Sequence, residues 1–372
     1  MTAGRTGRGR TARRVAIAAA GIGVAAAATV AAERALIRRA RSVPDVARGE
    51  ALDERPGRES RVRSFDGTEL AVNVVEPDGA ELAVNVVGPD GTKPPTFVFC
   101  HGFTLDMTAW HYQWKHLSRS HRCVLFDHRG HGRSAPAAGG DYSLQALGHD
   151  LKSVLDASVP EGPAVLVGHS LGGMAVLAFA AEHPEEFGDR VRAVVLANTA
   201  AADLLRVVLG NLGSKAALSL LPAARRFVSD PRRAYRLRSR LVGGGADLAF
   251  LIARATNFGP SAAPSMIDHV VSISARAPVE VWTDVMASML EMDLGHALEH
   301  VRVPALVVAS DLDRLTPPAS ARAMAAKLPR ARVVEIEGAG HCAMLERHEE
   351  FNRLVEEFAN EALGAEQETV TA

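Results

Sequence analysis

The stretch AVLVGHSLGGMAV, residues 164–176, passes from a short apolar run through a serine set among glycines into an alanine-rich apolar segment. Read locally, it is a strand, a tight turn and a helix. Gly168 and Gly172 are small enough for the turn, and Gly173 allows the helix to pack closely. Such a turn puts the Ser170 hydroxyl at the end of the strand, with the Leu171 amide and the positive end of the helix behind it. A Gly-x-Ser-x-Gly pentapeptide also arises by chance. The rest of the chain must therefore supply a base, an acid and a second backbone donor.

The flanking sequence repeats the same alternation. TFVFCHG (96–102), CVLFDHRG (123–130), VRAVVLANT (191–199), VPALVVASD (303–311) and RVVEIEGAGH (332–341) are apolar runs that end in loops. Between them lie helical patterns: one starts at Ser143, a second ends before Pro184, and an amphipathic helix begins at Glu349. Continuous apolar strands separated by helices imply a mostly parallel sheet covered on both faces. Residues 200–297 carry no convincing strand and read as an inserted helical cap. The expected divisions are therefore an N-terminal segment and linker at 1–60, core at 61–199, cap at 200–297, core at 298–362 and a tail at 363–372.

Parallel sheets of this kind place chemistry in the loops at the carboxyl ends of their strands. A serine nucleophile needs a base. Among the 14 histidines, His341 is selected because it follows the last strand, where its ring reaches the turn at Ser170. His101, His128, His131 and His169 read as loop-packing, hydrogen-bonding residues. The base needs an orienting carboxylate, and SDLDRLTPP offers Asp311 and Asp313. Asp313 lies deeper in a loop stiffened by proline, whereas Asp311 is expected to face solvent. A tetrahedral oxyanion needs two backbone donors. Leu171 gives one, and the loop after His101-Gly102 offers the amide of Phe103, whose side chain would line the pocket. Trp282, Met286, Met289 and Met292 recur at helical spacing. They read either as the border of an acyl pocket or as the face with which a cap helix packs on the core.

With these residues in place, the sequence resembles an α/β-hydrolase fold enzyme over about residues 62–362. The resemblance rests on HGF (101–103), DHRGHGRS (127–134), GHSLGG (168–173), DRLTP (313–317) and GAGH (338–341), all in the order typical of that family. It implies Ser170 as nucleophile, Asp313 as acid, His341 as base, and Phe103 and Leu171 as oxyanion donors. It also implies structural roles for Asp127 and Arg129. The serine at the turn separates the chain from epoxide hydrolases and haloalkane dehalogenases, which carry aspartate there. The expected activity is hydrolysis of a carboxylic ester by a serine esterase or lipase-like enzyme, with neither metal nor organic cofactor. Thioesterase or acyltransferase activity, or a haloperoxidase-like perhydrolase side reaction, would use the same residues. A membrane-tethered binding protein without chemistry is the rival from another class.

Bulk properties narrow the alternatives. Hydrophobic residues make up 47% and charged residues 23% of the 372, with a net charge of −1, so a globular domain is expected and nucleic acid is not an expected partner. Cys100, Cys123 and Cys342 form no disulfide or zinc pattern and read as small buried hydrophobes. The uncharged, mostly alanine stretch 15–32 lies between arginines on both sides. It reads as a signal-anchor helix that associates the protein with a membrane, or as a cleaved secretory signal. The arginine-rich part of the cap, within 201–260, reads as a solvated basic face or a contact with anionic lipid. Finally, ELAVNVVEPDG (69–79) recurs as ELAVNVVGPDG (81–91), which predicts a hairpin of two similar strands.

Overall fold

A computed structural model describes residues 34–77, 94–202, 219 and 246–370. Eight strands form one sheet: β1 (Arg58–Arg63), β2 (Glu69–Val75), β3 (Thr96–Cys100), β4 (Arg122–Phe126), β5 (Ala164–His169), β6 (Val191–Ala197), β7 (Ala305–Ser310) and β8 (Ala331–Ile336). Their order is β1-β2-β4-β3-β5-β6-β7-β8. The pairs β1–β2 and β2–β4 are antiparallel, and the remaining neighbours are parallel. The chain steps outward from β3 to β4 on one side and to β5 on the other. The carboxyl ends of β3 and β5 thus meet at a topological switch point, where sheets of this type open a crevice. Phe103 follows β3 and Ser170 follows β5.

The helices are α1 (34–41), α2 (His111–Leu117), α3 (Leu144–Ser158), α4 (Leu171–Glu182), α5 (Ala246–Asn257), α6 (Pro264–Arg276), α7 (Met286–Leu290), α8 (Pro318–Ala325), α9 (Ala343–Glu346) and α10 (His348–Val370). Alternation along the strands sends side chains to two cores. Val98, Val124 and Leu166 pack with α3 and α4 on one face. Phe97, Phe99, Val165 and Val167 pack with α2 and α10 on the other. α3 begins where Ser143 caps it, its hydroxyl accepting the Ala146 N–H at 3.1 Å. The three cysteines are free and buried.

The fold corrects two expectations. Within the segment and linker expected at 1–60, residues 41–60 are not detached. Ala47 and Leu52 are buried, Arg41 makes a two-pronged ion pair with Asp268 on α6, and Asp45 accepts the Ser265 hydroxyl at 2.7 Å. Their polar composition hides the packing because the arm makes its contacts through charge pairs to distant segments. The hairpin expected from the repeat depends on residues 81–91, which lie outside the described residues. The first copy forms β2, which has β1 on one edge and β4 on the other. The tail expected at 363–372 continues α10 as far as Val370.

Within the expected cap, the elements at 246–297 are helical apart from one isolated bridge, Ala202–Asp293. The anchor at 15–32 and most of the basic stretch within 201–260 lie outside the described residues. Among those described, no helix is long and apolar enough to cross a membrane.

Candidate active site

Ser170 sits between β5 and α4 with φ 51° and ψ −116°, a left-handed conformation that non-glycine residues avoid. Such strain costs on the order of 1–3 kcal/mol and persists only where the surroundings enforce it. Here they do. The Ser170 N–H donates to the Ala197 carbonyl at 3.0 Å, and the Ser170 carbonyl accepts the Thr199 hydroxyl at 2.7 Å. Close packing explains the glycines. A Cβ at Gly172 would lie 2.0 Å from the Cys100 carbonyl oxygen, and one at Gly173 would lie 2.6 Å from the Thr199 methyl. The turn is thus pressed against β3 and the end of β6.

Asp313 is buried, while Asp311 is exposed. Five donors converge on the Asp313 carboxylate. The Leu315 and Thr316 N–H groups donate to Oδ1 at 2.8 and 3.0 Å. The Thr316 hydroxyl (2.7 Å), Asn198 Nδ2 (2.9 Å) and His341 Nδ1 (2.9 Å) donate to Oδ2. Burial opposes its ionisation, but the pairing with His341 and these hydrogen bonds outweigh it and hold the carboxyl well below its usual range. With Nδ1–H committed to Asp313, the Nε2 lone pair of His341 is available to take a proton.

His341 is fixed through its backbone as well. Its carbonyl accepts His169 Nε2–H at 2.9 Å, and the two rings lie 4.8 Å apart. The loop that carries His341 is thereby tied to the residue that precedes Ser170. His101, His128, His131 and His169 are all buried. The His128 N–H donates to His101 Nε2, so His101 must carry its proton on Nδ1, which donates to the Gly102 carbonyl at 2.8 Å. Burial keeps these rings neutral. It lowers His131 to about 4 and His169 to about 3, and drives His101 and His128 well down. They shape the strand-end loops, as expected from the sequence.

The N–H groups of Phe103 and Leu171 have no acceptor among the described residues. Phe103 precedes Thr104, itself left-handed at φ 58°, whose hydroxyl lies 3.0 Å from that of Ser274 on α6. The Phe103 ring meets Trp282 edge-on at 5.4 Å, and Trp282 is 46% exposed. Met286 is half-buried, and Met289 is buried in the core cluster that contains Leu171 and Met174. Of the expected apolar stripe, Trp282 therefore lies against the Phe103 loop, while Met289 packs inward.

Asp127 accepts the N–H groups of Met107 (2.7 Å) and Arg133 (2.8 Å). Arg129 binds the buried Asp150 through both Nε and Nη2. Both act on loop structure, in line with the resemblance. Two contributors escaped the sequence reading. Asn198, left-handed at φ 46°, turns its amide onto Asp313 from the end of β6; its only signal was an asparagine, which tolerates that conformation, directly after a strand. Arg55 bridges Asp106 and Asp127 at 2.9 Å each, from a segment that no motif marks.

Comparison with known proteins agrees with this architecture. Residues 24% identical over 267 positions relate the chain to 3-oxoadipate enol-lactonase 2 of Acinetobacter baylyi, covering 70% of this chain and 87% of the lactonase. Polyketide synthase ThaQ of Burkholderia thailandensis is 30% identical over 276 residues, 73% of this chain, although the chain spans only 12% of that synthase. An esterase from Thermogutta terrifontis superposes with a TM-score of 0.62 at 22% identity, covering 82% of this chain and 99% of the esterase. At that identity the superposition speaks for the fold alone. The family described as alpha/beta hydrolase fold matches residues 95–348, which include the turn at Ser170, Asp313 and His341, and the chain belongs to that family.

Proposed function

We propose that the protein is a serine hydrolase that cleaves carboxylic esters through an acyl-enzyme. The observation that carries this reading is the His341–Asp313 hydrogen bond of 2.9 Å in a loop tied to the strained turn at Ser170. On this reading Ser170 Oγ attacks the ester carbonyl while His341 Nε2 takes its proton. Asp313 holds the ring in the tautomer that leaves Nε2 free and stabilises the imidazolium. The tetrahedral oxyanion lies between the unpaired N–H groups of Phe103 and Leu171. His341 then returns the proton to the leaving alcohol. A water molecule, deprotonated by the same ring, attacks the acyl-enzyme and releases the acid. Trp282 and Phe103 border the acyl side of the site.

The reading is tested with p-nitrophenyl esters from acetate to palmitate, using the full chain and Ser170→Ala. Hydrolysis lost in the variant supports it, and the preferred chain length defines the acyl group. Neither turnover nor fluorophosphonate labelling of Ser170 would leave a non-catalytic binding protein. The stretch 15–32 tethers the enzyme to a membrane on the same reading; membrane fractionation of cells expressing the full chain and a chain lacking residues 1–33 tests this.

A further inference from the structure

One half-buried carboxylate outside the Ser170–Asp313–His341 set binds backbone on both sides of the cap boundary. Glu346, on α9, accepts two N–H groups on a single oxygen, Oε2: Gly340 at 2.9 Å and Gly259 at 2.9 Å. Gly340 immediately precedes His341. Gly259 belongs to the turn between α5 and α6, within the cap. The same cap turn reaches the other flank of His341, because the Cys342 N–H donates to the Asn257 carbonyl at 2.9 Å.

The contact is close as well as polar. A Cβ at Gly340 would lie 2.5 Å from the Phe258 carbonyl carbon, and one at Gly259 would lie 2.5 Å from the Gly338 carbonyl oxygen. Both positions need glycine because two backbones touch there. The second oxygen of Glu346 is buried without a hydrogen bond, as are Arg254 Nη1 and Arg347 Nε. Arg254 comes from α5, where its Nη2 donates to the Pro260 carbonyl at 2.7 Å. A desolvated carboxylate is costly to keep, so one aimed at two peptide N–H groups gains strong, directional bonds in return.

We propose that Glu346 is a positioning residue for His341, clamping the base loop to the cap turn Asn257–Gly259 so that the base is correctly placed only while that turn is seated. The role assigned to His341 rests on the hydrolase reading above; the clamp itself is a property of the backbone contacts. A cap displaced at this turn would release both flanks of His341 together. Correct geometry between base and nucleophile matters steeply, since a shift of about 1 Å can cost on the order of 100-fold in rate.

The test uses the full chain as wild type, Glu346→Ala and Glu346→Gln, with two readouts. Hydrogen exchange by mass spectrometry should accelerate in Glu346→Ala in peptides covering 254–262 and 338–345, with peptides from β5 and β6 unchanged. On the best p-nitrophenyl ester, kcat should fall at least ten-fold with KM within two-fold, and fluorophosphonate labelling of Ser170 should slow in parallel. Glu346→Gln keeps an accepting oxygen and should recover most of kcat and of the exchange protection. Unchanged exchange in Glu346→Ala overturns the clamp, whether or not the chain hydrolyses an ester. Altered exchange with kcat retained within two-fold overturns the positioning role. A wild-type chain inert to esters and to the fluorophosphonate overturns the hydrolase reading and the base role together, while the exchange comparison still decides the clamp.

Discussion

The Nδ1–H of His341 and the amide of Asn198 both donate to Oδ2 of Asp313, each at 2.9 Å. One carboxylate oxygen thus joins the loop after β7, the loop after β8 and the end of β6. Asp313→Asn tests what that oxygen does. The backbone donors to Oδ1 remain satisfied by the Asn carbonyl, so the amide nitrogen must face His341. That nitrogen repels Nδ1–H and favours the tautomer with its proton on Nε2, the wrong atom for a base. The expected loss is about 10⁴-fold in kcat, with KM little changed, measured on the best p-nitrophenyl ester.

Ser170 holds a conformation that suits glycine, at φ 51° and ψ −116°. Ser170→Ala removes the hydroxyl and keeps the Cβ strain. Ser170→Gly removes both. Both variants are expected to be inactive, but Ser170→Gly should exceed Ser170→Ala in stability by about 1 kcal/mol, the lower end of the range for such strain. Denaturant midpoints of the two variants check this. Equal midpoints would mean that the turn carries no strain at Ser170.

Arg55 is the counter-charge of two buried carboxylates, Asp106 and Asp127. Arg55→Met leaves Asp127 without a cationic partner among the described residues and Asp106 with Arg276 Nη2 alone, at 3.6 Å, and should destabilise the fold by about 3–5 kcal/mol. The deficit should depend on pH in a fixed direction. Burial already raises the Asp127 carboxyl despite Arg55, and losing the guanidinium raises it further. A carboxyl with a raised pKa takes up a proton in the folded state as pH falls, which removes the unpaired charge. The stability gap between variant and wild type should therefore be larger at pH 7.5 than at pH 5, read from urea midpoints at both values.

The elbow was legible because its signals are local: an apolar run, small residues and a helix within thirteen positions of 164–176. Asp313 and His341 were legible because each follows a strand that announces itself by composition. Asn198, Arg55 and Glu346 were not, for a common reason. Each acts through a partner supplied by another segment: Asn198 reaches Asp313, 115 residues away, and Arg55 reaches Asp127, 72 residues away. Glu346 acts on peptide N–H groups that carry no sequence signature at all. Hydrophobic periodicity reports how one segment meets a core. It does not report which distant charge a polar side chain will meet, and so a packed arm at 42–56 read as a linker.

The buried histidines set a final expectation, on acid stability. His131 is lowered to about 4 by burial, and its Nδ1–H donates to the Arg129 carbonyl at 3.0 Å. An unfolded histidine titrates near its ordinary value of about 6.5. Between about pH 6.5 and 4 the unfolded chain therefore binds a proton at this residue that the folded chain refuses. Stability from this group is full above about pH 6.5 and is lost as pH falls, at up to about 1.4 kcal/mol per pH unit. His101, His128 and His169 add losses of the same sign. His131→Asn removes the titration while its amide N–H keeps the bond to Arg129. The fall in unfolding free energy between pH 6 and pH 5 should be smaller in this variant than in wild type by close to one proton's share. An identical slope in the two proteins would mean that His131 is protonated in the folded state at pH 5.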